Sequence, residues 1–500
     1  MRSHDVLEHP QPKAGLVPAP ESASKQVRDL VLEQHGPSVL ILHTADGDVA
    51  EHQLFRTIPV AAGDGLVLAS ARAIRSKAFR PALRQACWMA LEAATPHQSS
   101  GRSRLFLALA GAGQGNGRGQ ALAQKISREF RADVFAPDGP LTFVPGSSIF
   151  AGTDDHSWVR FSPGKVRELR GTRYPRPEWE NLLPRGVVRD GELHTRPIPA
   201  GLAVSASPMS AAFAISHVVA VSHVHPRFVL GSPEDEPIEP RQVAALLSRF
   251  PWRLRQRIQL VPADPRTAVA EWLGKLAALA GHDVISTTGL VRTWDRSEYV
   301  VVPSGPESSP WQPFSTLLRH TPDGQVLPVQ ASAPPRGWVA SGPLQYRRSS
   351  AAGQQPGPHE VVAKVVPSGL CLLPASQAAK PGSADRLAFE VDHLTITLGW
   401  PCAPLPEDMP AALRDLLSGL RHEQLARVRI QVLGLADDQL RADLREVVDL
   451  VGAPIQFPVL LSADDDSARS AVSEGTTNAE QLEATGAESS SAGDEPSATR

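Results

Sequence analysis

The chain has 500 residues, with 50 basic and 53 acidic side chains and a formal net charge of -3. This length predicts roughly three domains, and the charge excludes a general attraction to nucleic acid. The cysteines, Cys87, Cys371 and Cys402, have neither the spacing of a disulfide framework nor that of a metal site. No secretory signal or membrane-spanning stretch is recognisable, so we expect a cytoplasmic protein, with non-classical export left open.

The first part of the chain predicts few regular elements. Residues 1–25 are polar and rich in proline, which is typical of disorder. A short helix is expected over residues 27–35, and the first clear strand over residues 38–43, followed by a turn at Asp46 and Gly47.

Three later stretches share one pattern. Each opens with Arg-x-Arg, at Arg102, Arg255 and Arg427, and continues as a short apolar run, a polar or glycine-rich turn, an amphipathic helix and a second apolar run. Short apolar runs bounded by turns are typical of strands buried on both faces of a parallel sheet. A further strand and helix precede each copy. The fold class predicted is therefore α/β, with three degenerate repeats of a mostly parallel βαβ-type domain.

Composition changes along the chain predict the boundaries between these repeats. The tail from Ser462 carries nine acidic and two basic residues, and we expect it to be disordered. The predicted segments are a disordered start (1–25), repeat 1 (26–164), a linker (165–195), repeat 2 (196–345), a second linker (346–358), repeat 3 (359–461) and an acidic tail (462–500).

Part of the first repeat resembles a known family. Residues 136–140 read Ala-Pro-Asp-Gly-Pro, residues 121–123 read Ala-Leu-Ala inside the predicted helix, and residues 159–164 read VRFSPG. These motifs resemble the lonely-Cys module of very large actinobacterial proteins that are associated with polymorphic toxins. The resemblance implies a caspase-like α/β fold with a cysteine nucleophile that follows the Arg-x-Arg strand.

The residues at the expected nucleophile position depart from that family. Four residues after the second arginine of each Arg-x-Arg stand Ala108, Val261 and Leu433. None of these side chains can form a thiolate or an alkoxide. The sequence therefore favours a pseudoenzyme, although it leaves the question of catalysis open.

Three residues remain as catalytic candidates. Cys402 stands in a turn, and His393 is near it in sequence; His225 is a possible counterpart of the family's histidine in the second repeat. A base without a nucleophile does not make such a site, and strand-end histidines of this kind are usually structural. No metal-ligand spacing and no cofactor motif is recognised, so no metal and no cofactor are predicted.

The loop at residues 111–119 follows a strand and precedes a helix, where a nucleotide phosphate would meet backbone N–H groups. Its candidates for such a contact are Gly113, Gly115, Gly117 and Arg118. The spacing matches neither the dinucleotide-binding nor the P-loop pattern, and a flexible loop explains it equally.

Three functions follow as hypotheses. The first is a non-catalytic interaction or scaffold protein with an unidentified protein partner, no nucleic acid and an unknown oligomeric state. The second is a caspase-like or other cysteine hydrolase, and the third is a nucleotide-binding protein that uses the loop at residues 111–119.

Overall fold

The structure is a computed structural model of the full chain. It describes 24–27, 30–47, 49–94, 103–115, 120–152, 156–165, 167–184, 186, 188–210, 213, 219–294, 297–302, 310–349, 357, 359–379 and 382–457. The predicted disordered start and acidic tail lie almost wholly outside these residues. Residues 1–455 form one compact unit.

The described strands form three large sheets, one after another along the chain. The first sheet has the order β1 (Ser24–Val27), β2 (Leu30–His35), β3 (Val39–Thr44), β4 (Asp64–Ala69), β5 (Arg104–Ala108), β6 (Asp133–Pro137), β9 (Trp158–Phe161) and β10 (Glu168–Gly171). A small sheet beside it has the order β11 (Arg173–Tyr174), β8 (Ser148–Phe150) and β7 (Thr142–Val144).

The second and third large sheets repeat this order. The second consists of β12 (Val188–Asp190), β13 (Leu193–Ile198), β14 (Gly201–Ser205), β15 (Arg227–Leu230), β16 (Gln259–Pro262), β17 (Val284–Thr287), β20 (Ser315–His320) and β21 (Val326–Ala331), with a separate hairpin of β18 (Leu290–Trp294) and β19 (Ser297–Val301). The third consists of β22 (Trp338–Gly342), β23 (Gln345–Arg348), β24 (Val361–Val366), β25 (Gly369–Pro374), β26 (Leu394–Leu398), β27 (Val428–Val432) and β28 (Ile455–Gln456).

Helices lie between the central strands of the three large sheets. They are α1 (Val49–Thr57), α2 (Ala71–Arg75), α3 (Phe79–Ala94), α4 (Leu122–Phe130), α5 (Pro240–Ser248), α6 (Trp252–Arg255), α7 (Ala270–Ala280), α8 (Ala375–Ala378), α9 (Met409–Gly419), α10 (His422–Leu425) and α11 (Asp438–Asp449). The strands that they connect pair in parallel, while hairpins extend the sheets with antiparallel strands. The predicted α/β class with three parallel-centred repeats is confirmed.

The hydrogen bonds between the central strands fix how the repeats correspond. Leu66 N–H donates to the carbonyl of the residue before β3, and Arg227 and Thr395 N–H groups donate at the same place before β14 and β25. The next strand then pairs Leu66 with Phe106, and in the other sheets Arg227 with Gln259 and Thr395 with Arg429. These pairs give a residue-by-residue alignment that does not depend on sequence similarity.

Alternate residues of the central strands in the first sheet are buried on opposite faces, so this sheet is covered on both sides. Leu105, Leu107 and Val134 pack on one face against apolar residues of α3 and α4. Ala108 and Phe135 belong to the opposite face. Side chains alternate between the faces of a strand, so a strand covered on both sides needs an unbroken apolar run.

The helix predicted over residues 27–35 is wrong, because the described part of this stretch is extended. Leu30–His35 form β2, which pairs antiparallel with β3 from His35↔Val39 to Leu30↔Thr44. Leu30 and Leu32 are buried with β3 residues such as Leu40. The helical pattern in this stretch is outweighed by pairing with the first buried strand and by burial in the core.

The segments predicted as linkers also carry strands. The first one, 165–195, contains β10, β11 and β12, which extend the first sheet, join the small sheet and begin the second. In the second, Tyr346 of β23 pairs with Ala363 of β24, so the third sheet begins at Trp338. Proline and glycine in these stretches mark turns between short strands, not free connections.

Candidate functional site

The positions aligned with a nucleophile in the first two repeats lie inside their sheets. Ala108 and Val261 have exposed fractions of 2% and 0%, and each packs within an apolar cluster. An aliphatic side chain enclosed in this way offers neither a reactive atom nor access for a substrate.

The third predicted position, Leu433, does not correspond to Ala108 and Val261 in the structure. Leu433 donates its N–H to Leu398 O, as Ala263 donates its N–H to Leu230 O. Leu433 therefore corresponds to Ala263, two residues beyond the position of Val261. The true counterpart in the third sheet is Gln431, whose amide is not a nucleophile either.

Two of the three cysteines are enclosed. Cys87 in α3 and Cys371 in β25 are buried. Burial raises the pKa of both thiols, that of Cys371 to about 11. Neither forms an appreciable thiolate near neutral pH, so neither is an activated nucleophile.

The proposed pair of Cys402 and His393 is separated by a strand. His393 directly precedes β26, whereas exposed Cys402 follows it in a turn with φ of 61°. The five residues of β26 span roughly 16 Å at about 3.3 Å each. The side chains thus lie at opposite ends of the strand, and the cysteine-hydrolase arrangement is not formed. His225 lies elsewhere, before β15, with Nδ1 3.2 Å from Arg257 O, and burial lowers the pKa of His225.

The glycine loop is described up to Gly115, while Gly117 and Arg118 lie outside the described residues. The N–H groups of Gly111 and Gly113 donate to Gly139 O and Pro137 O. A Cβ on Gly113 would lie 2.7 Å from a backbone oxygen of β6, so close packing explains this glycine. These two N–H groups are already paired and do not face a phosphate.

A groove of about 470 Å³ lies beside this loop, between α3 and α4. Arg80, Arg84 and Lys125 line it together with apolar side chains of the two helices. Arg84 is paired with Glu129 at its rim. The groove lies at the carboxyl ends of the strands, where open α/β sheets commonly bind ligands.

A cavity lined by charged and aromatic side chains lies at the opposite end of the first sheet, where its parallel strands begin. Its volume is about 670 Å³, and we call it the aromatic cleft. Its floor consists of Phe106, Phe135, Trp158 and Tyr174. Phe106 stacks on Phe135 with ring centroids 4.5 Å apart and contacts Tyr174 at 4.0 Å. A volume of this size and an apolar floor are typical of small-ligand sites.

Charged residues that begin the three central strands form the wall of the aromatic cleft. Arg104 Nη2 lies 2.6 Å from Asp64 Oδ1, and Arg160 pairs with Asp133. The lining includes five arginines, completed by Arg170, Arg173 and Arg176, against two aspartates. Arg104, Arg170 and Arg176 have side-chain exposures of 34–48%, although each is paired with an acid, Asp64, Glu168 and Glu180 respectively.

Asp64 is the unusual acid of the aromatic cleft. Its exposed fraction is 3%, and Tyr174 Oη donates to its Oδ2 at 3.4 Å. Burial raises the pKa of Asp64 to about 6, although Arg104 acts in the opposite direction. The charge that Asp64 gives to the cleft therefore changes near pH 6 and not near pH 4.

A second cavity of about 520 Å³ occupies the corresponding part of the second sheet. Its lining includes Gln259 and Leu317, which the strand pairing aligns with Phe106 and Trp158. Arg227 crosses it to reach Glu298 at 2.5 Å. The first cavity includes His223 from the second repeat, and the second includes Arg421 from the third. Each cavity thus lies where one repeat meets the next.

Comparison with protein-family models, with curated proteins and with solved structures finds no match for this chain. The resemblance to the lonely-Cys module therefore stays a prediction. Among the described residues, no helix has the length and apolarity needed to cross a membrane.

The aromatic cleft is not among the sites predicted from the sequence. The predicted nucleophile positions and the glycine loop lie late in or after their strands, whereas Asp64, Arg104 and Asp133 are first residues of β4, β5 and β6. The available signal was a charged residue immediately before each buried apolar run, because parallel strands bring their first residues to one edge.

Proposed function

We propose that this chain is a binding protein without a catalytic role, and that the aromatic cleft recognises a ligand that joins an acidic group to an apolar body. The stacked floor around Phe106, beside the partly exposed cationic side chains of Arg104, Arg170 and Arg176, is the observation that carries the proposal. Aromatic rings accept the apolar part, and guanidinium groups pair with carboxylates or sulfonates in a directed way.

The repeated architecture supports the non-catalytic part of the proposal. The nucleophile positions are occupied by aliphatic or amide side chains, and the cavities recur at the junctions between repeats. A C-terminal carboxylate beside an apolar residue of a partner protein has the required chemistry, so an interaction or scaffold role agrees with the cleft.

An aromatic sulfonate tests this proposal directly. Anilinonaphthalene sulfonate carries an anion on an apolar body, and its fluorescence rises in an apolar site. We expect saturable binding to the wild type, and at least about a fivefold higher Kd for Arg104→Gln and for Phe106→Ala, as lost charge-assisted and aromatic contacts imply. A short peptide with a C-terminal phenylalanine should compete with the dye.

Arg84→Gln is the matched control, because Arg84 is also an ion-paired arginine with an exposed side chain but lies outside the aromatic cleft. This variant should bind the dye as the wild type does. Equal affinities in all four proteins, with unchanged circular dichroism, would refute the assignment of the cleft.

The groove beside the glycine loop supports nucleotide binding as a second candidate, because Arg80, Arg84 and Lys125 line it. Against it, the N–H groups of Gly111 and Gly113 are already paired. ATP at 100 times its Kd would raise the free energy of unfolding by about 2.7 kcal/mol, so a thermal-shift titration that shows no rise would eliminate this candidate.

A further inference from the structure

Three metal-ligating side chains meet at the carboxyl end of β3 in the first repeat. Glu33 lies on β2, His43 is the second-last residue of β3, and His52 lies on the following helix α1. Glu33 Oε2 is 2.7 Å from His52 Nε2 and 3.7 Å from His43 Nε2. One ligand atom of each residue lies within 4.8 Å of the other two.

These distances are close to those of an occupied metal site. A tetrahedral zinc ion bound at about 2.05 Å would hold its ligand atoms roughly 3.4 Å apart. The two separations from Glu33 Oε2, 2.7 Å to His52 Nε2 and 3.7 Å to His43 Nε2, lie on either side of this value. The side chains of His43 and His52 are 16% and 19% exposed, so the cluster lies close to the surface.

Neighbouring groups already orient two of the ligands. Arg56 donates from Nε and Nη2 to Glu33 Oε1, at 2.9 and 2.8 Å, which directs Oε2 toward the histidines. His43 Nδ1 lies 3.0 Å from Thr44 O. Because a carbonyl only accepts hydrogen bonds, this contact favours the tautomer with the proton on Nδ1, in which Nε2 is the metal-binding nitrogen. Outer contacts of this kind are typical of metal-binding histidines and carboxylates.

We propose that Glu33, His43 and His52 form a binding site for a divalent transition-metal ion, with Zn²⁺ as the best fit. Two imidazoles and one carboxylate are a common zinc ligand set, and three protein ligands leave a tetrahedral ion one open position. The Nε2 atom of His43 is buried without a hydrogen-bond partner among the described residues, and a metal ion would satisfy it.

The site is specific to the first repeat. Strand pairing aligns Glu33 with Arg196 in the second sheet and with Lys364 in the third. Both replacements are cationic and would repel a metal ion. At the position of His43 the other sheets have a serine and a leucine, Ser205 and Leu373. The repeated fold alone therefore does not explain the presence of Glu33 and His43 at these positions.

Calorimetry with zinc chloride on the chelator-treated full chain is the direct test. We expect one ion per chain with a Kd in the micromolar range or below, and a Tm that rises with zinc. Removing one ligand with Glu33→Gln, His43→Gln or His52→Gln should raise the Kd at least about tenfold. Cobalt chloride should give the visible absorption of a four-coordinate ion in the wild type only.

His393→Gln is the matched control. His393 also pairs with a glutamate, Glu390, with Nδ1 3.1 Å from the carboxylate, but among the described residues this pair belongs to no cluster of three metal-ligating side chains. This variant should bind zinc as the wild type does. His52 lies on a helix near the surface, so His52→Gln should remain folded even if Glu33→Gln does not. Unchanged zinc affinity in folded His52→Gln, or no saturable binding by the wild type, would overturn the proposal.

Discussion

Glu180 Oε1 lies 3.2 Å from Arg173 Nη1, and this buried ion pair links β11 of the small sheet to the second large sheet. Arg173 donates to the carbonyl oxygens of Ile198, Pro199 and Gly201 around the turn between β13 and β14. Glu180 also accepts from the N–H groups of Thr172 and Arg173. Burial lowers the pKa of Arg173 to about 10, so it stays charged and depends on its partner.

Glu180→Gln is therefore expected to destabilise the protein strongly. Removing one member of a buried ion pair typically costs about 3–5 kcal/mol, because the other charge remains buried. Glu129→Gln removes the partner of exposed Arg84 and should cost less than about 1 kcal/mol. Urea unfolding followed by circular dichroism compares the two. Similar midpoints for both variants would show that the buried pair contributes little.

Because the pKa of Asp64 is raised, we expect its contribution to the free energy of unfolding to fall as the pH rises. The pKa of Asp64 is about 6 in the folded chain, against 3.8 for the ordinary group. Between these values the folded state binds more protons than the unfolded state, so the free energy of unfolding decreases with increasing pH. The shift corresponds to a loss of up to about 3 kcal/mol, complete above pH 6.

Asp64→Asn should remove this dependence. The stability of the variant relative to the wild type is expected to improve steadily from pH 4 to pH 6.5, as measured by urea unfolding at several pH values. The dye affinity of the wild type should increase over the same range as the pH falls, because protonated Asp64 no longer competes for Arg104. Parallel pH curves for the two proteins would contradict the raised pKa.

Cysteine reactivity separates the binding proposal from the hydrolase alternative. Iodoacetamide at neutral pH should label only Cys402 in the folded chain, because Cys87 and Cys371 are buried with raised pKa values. Cys402→Ser should abolish labelling, and His393→Gln should leave its rate unchanged. A several-fold slower reaction in His393→Gln would revive the pair that β26 separates. Mass spectrometry of the labelled peptides reads out each result.

The sequence predicts those elements in which the pattern of buried residues depends only on neighbouring residues in the chain. The amphipathic helix predicted in the third repeat is α11, in which Leu444, Val447 and Val448 are buried, while Leu440 is partly buried and Val451 is exposed. Gly281 ends α7 with φ of 68°, as expected of a glycine at a helix end. Both features depend on neighbouring residues alone, which makes them visible in a single sequence.

The candidate sites could not be predicted in the same way. Asp64, Arg104 and Trp158 come together because β4, β5, β6 and β9 are neighbours in a particular register. Glu33 and His43 meet only because Leu30–His35 is a strand and not a helix. A one-residue change in register would move a side chain to the other face of the sheet, and local patterns do not encode that choice.

His320 predicts the opposite pH dependence to Asp64, in the second sheet. Its exposed fraction is 1%, its Nε2 lies 3.0 Å from Ser286 Oγ, and burial lowers the pKa of His320 to about 4. Between pH 6.5 and pH 4 the unfolded state binds the additional proton, so the free energy of unfolding decreases as the pH falls. The shift corresponds to about 3 kcal/mol.

Strand pairing aligns His320 and Ser286 with Phe161 and Ala136 of the first sheet, which suggests the variant His320→Phe with Ser286→Ala. This double variant should lose less stability than the wild type between pH 6.5 and pH 4. The variant lacks the imidazole that is neutral in the folded chain and takes up a proton on unfolding. At pH 7.5 the larger ring costs up to about 3 kcal/mol if the site cannot adjust. The decisive quantity is therefore the slope of stability against pH, and equal slopes for the two proteins would contradict a neutral, buried His320.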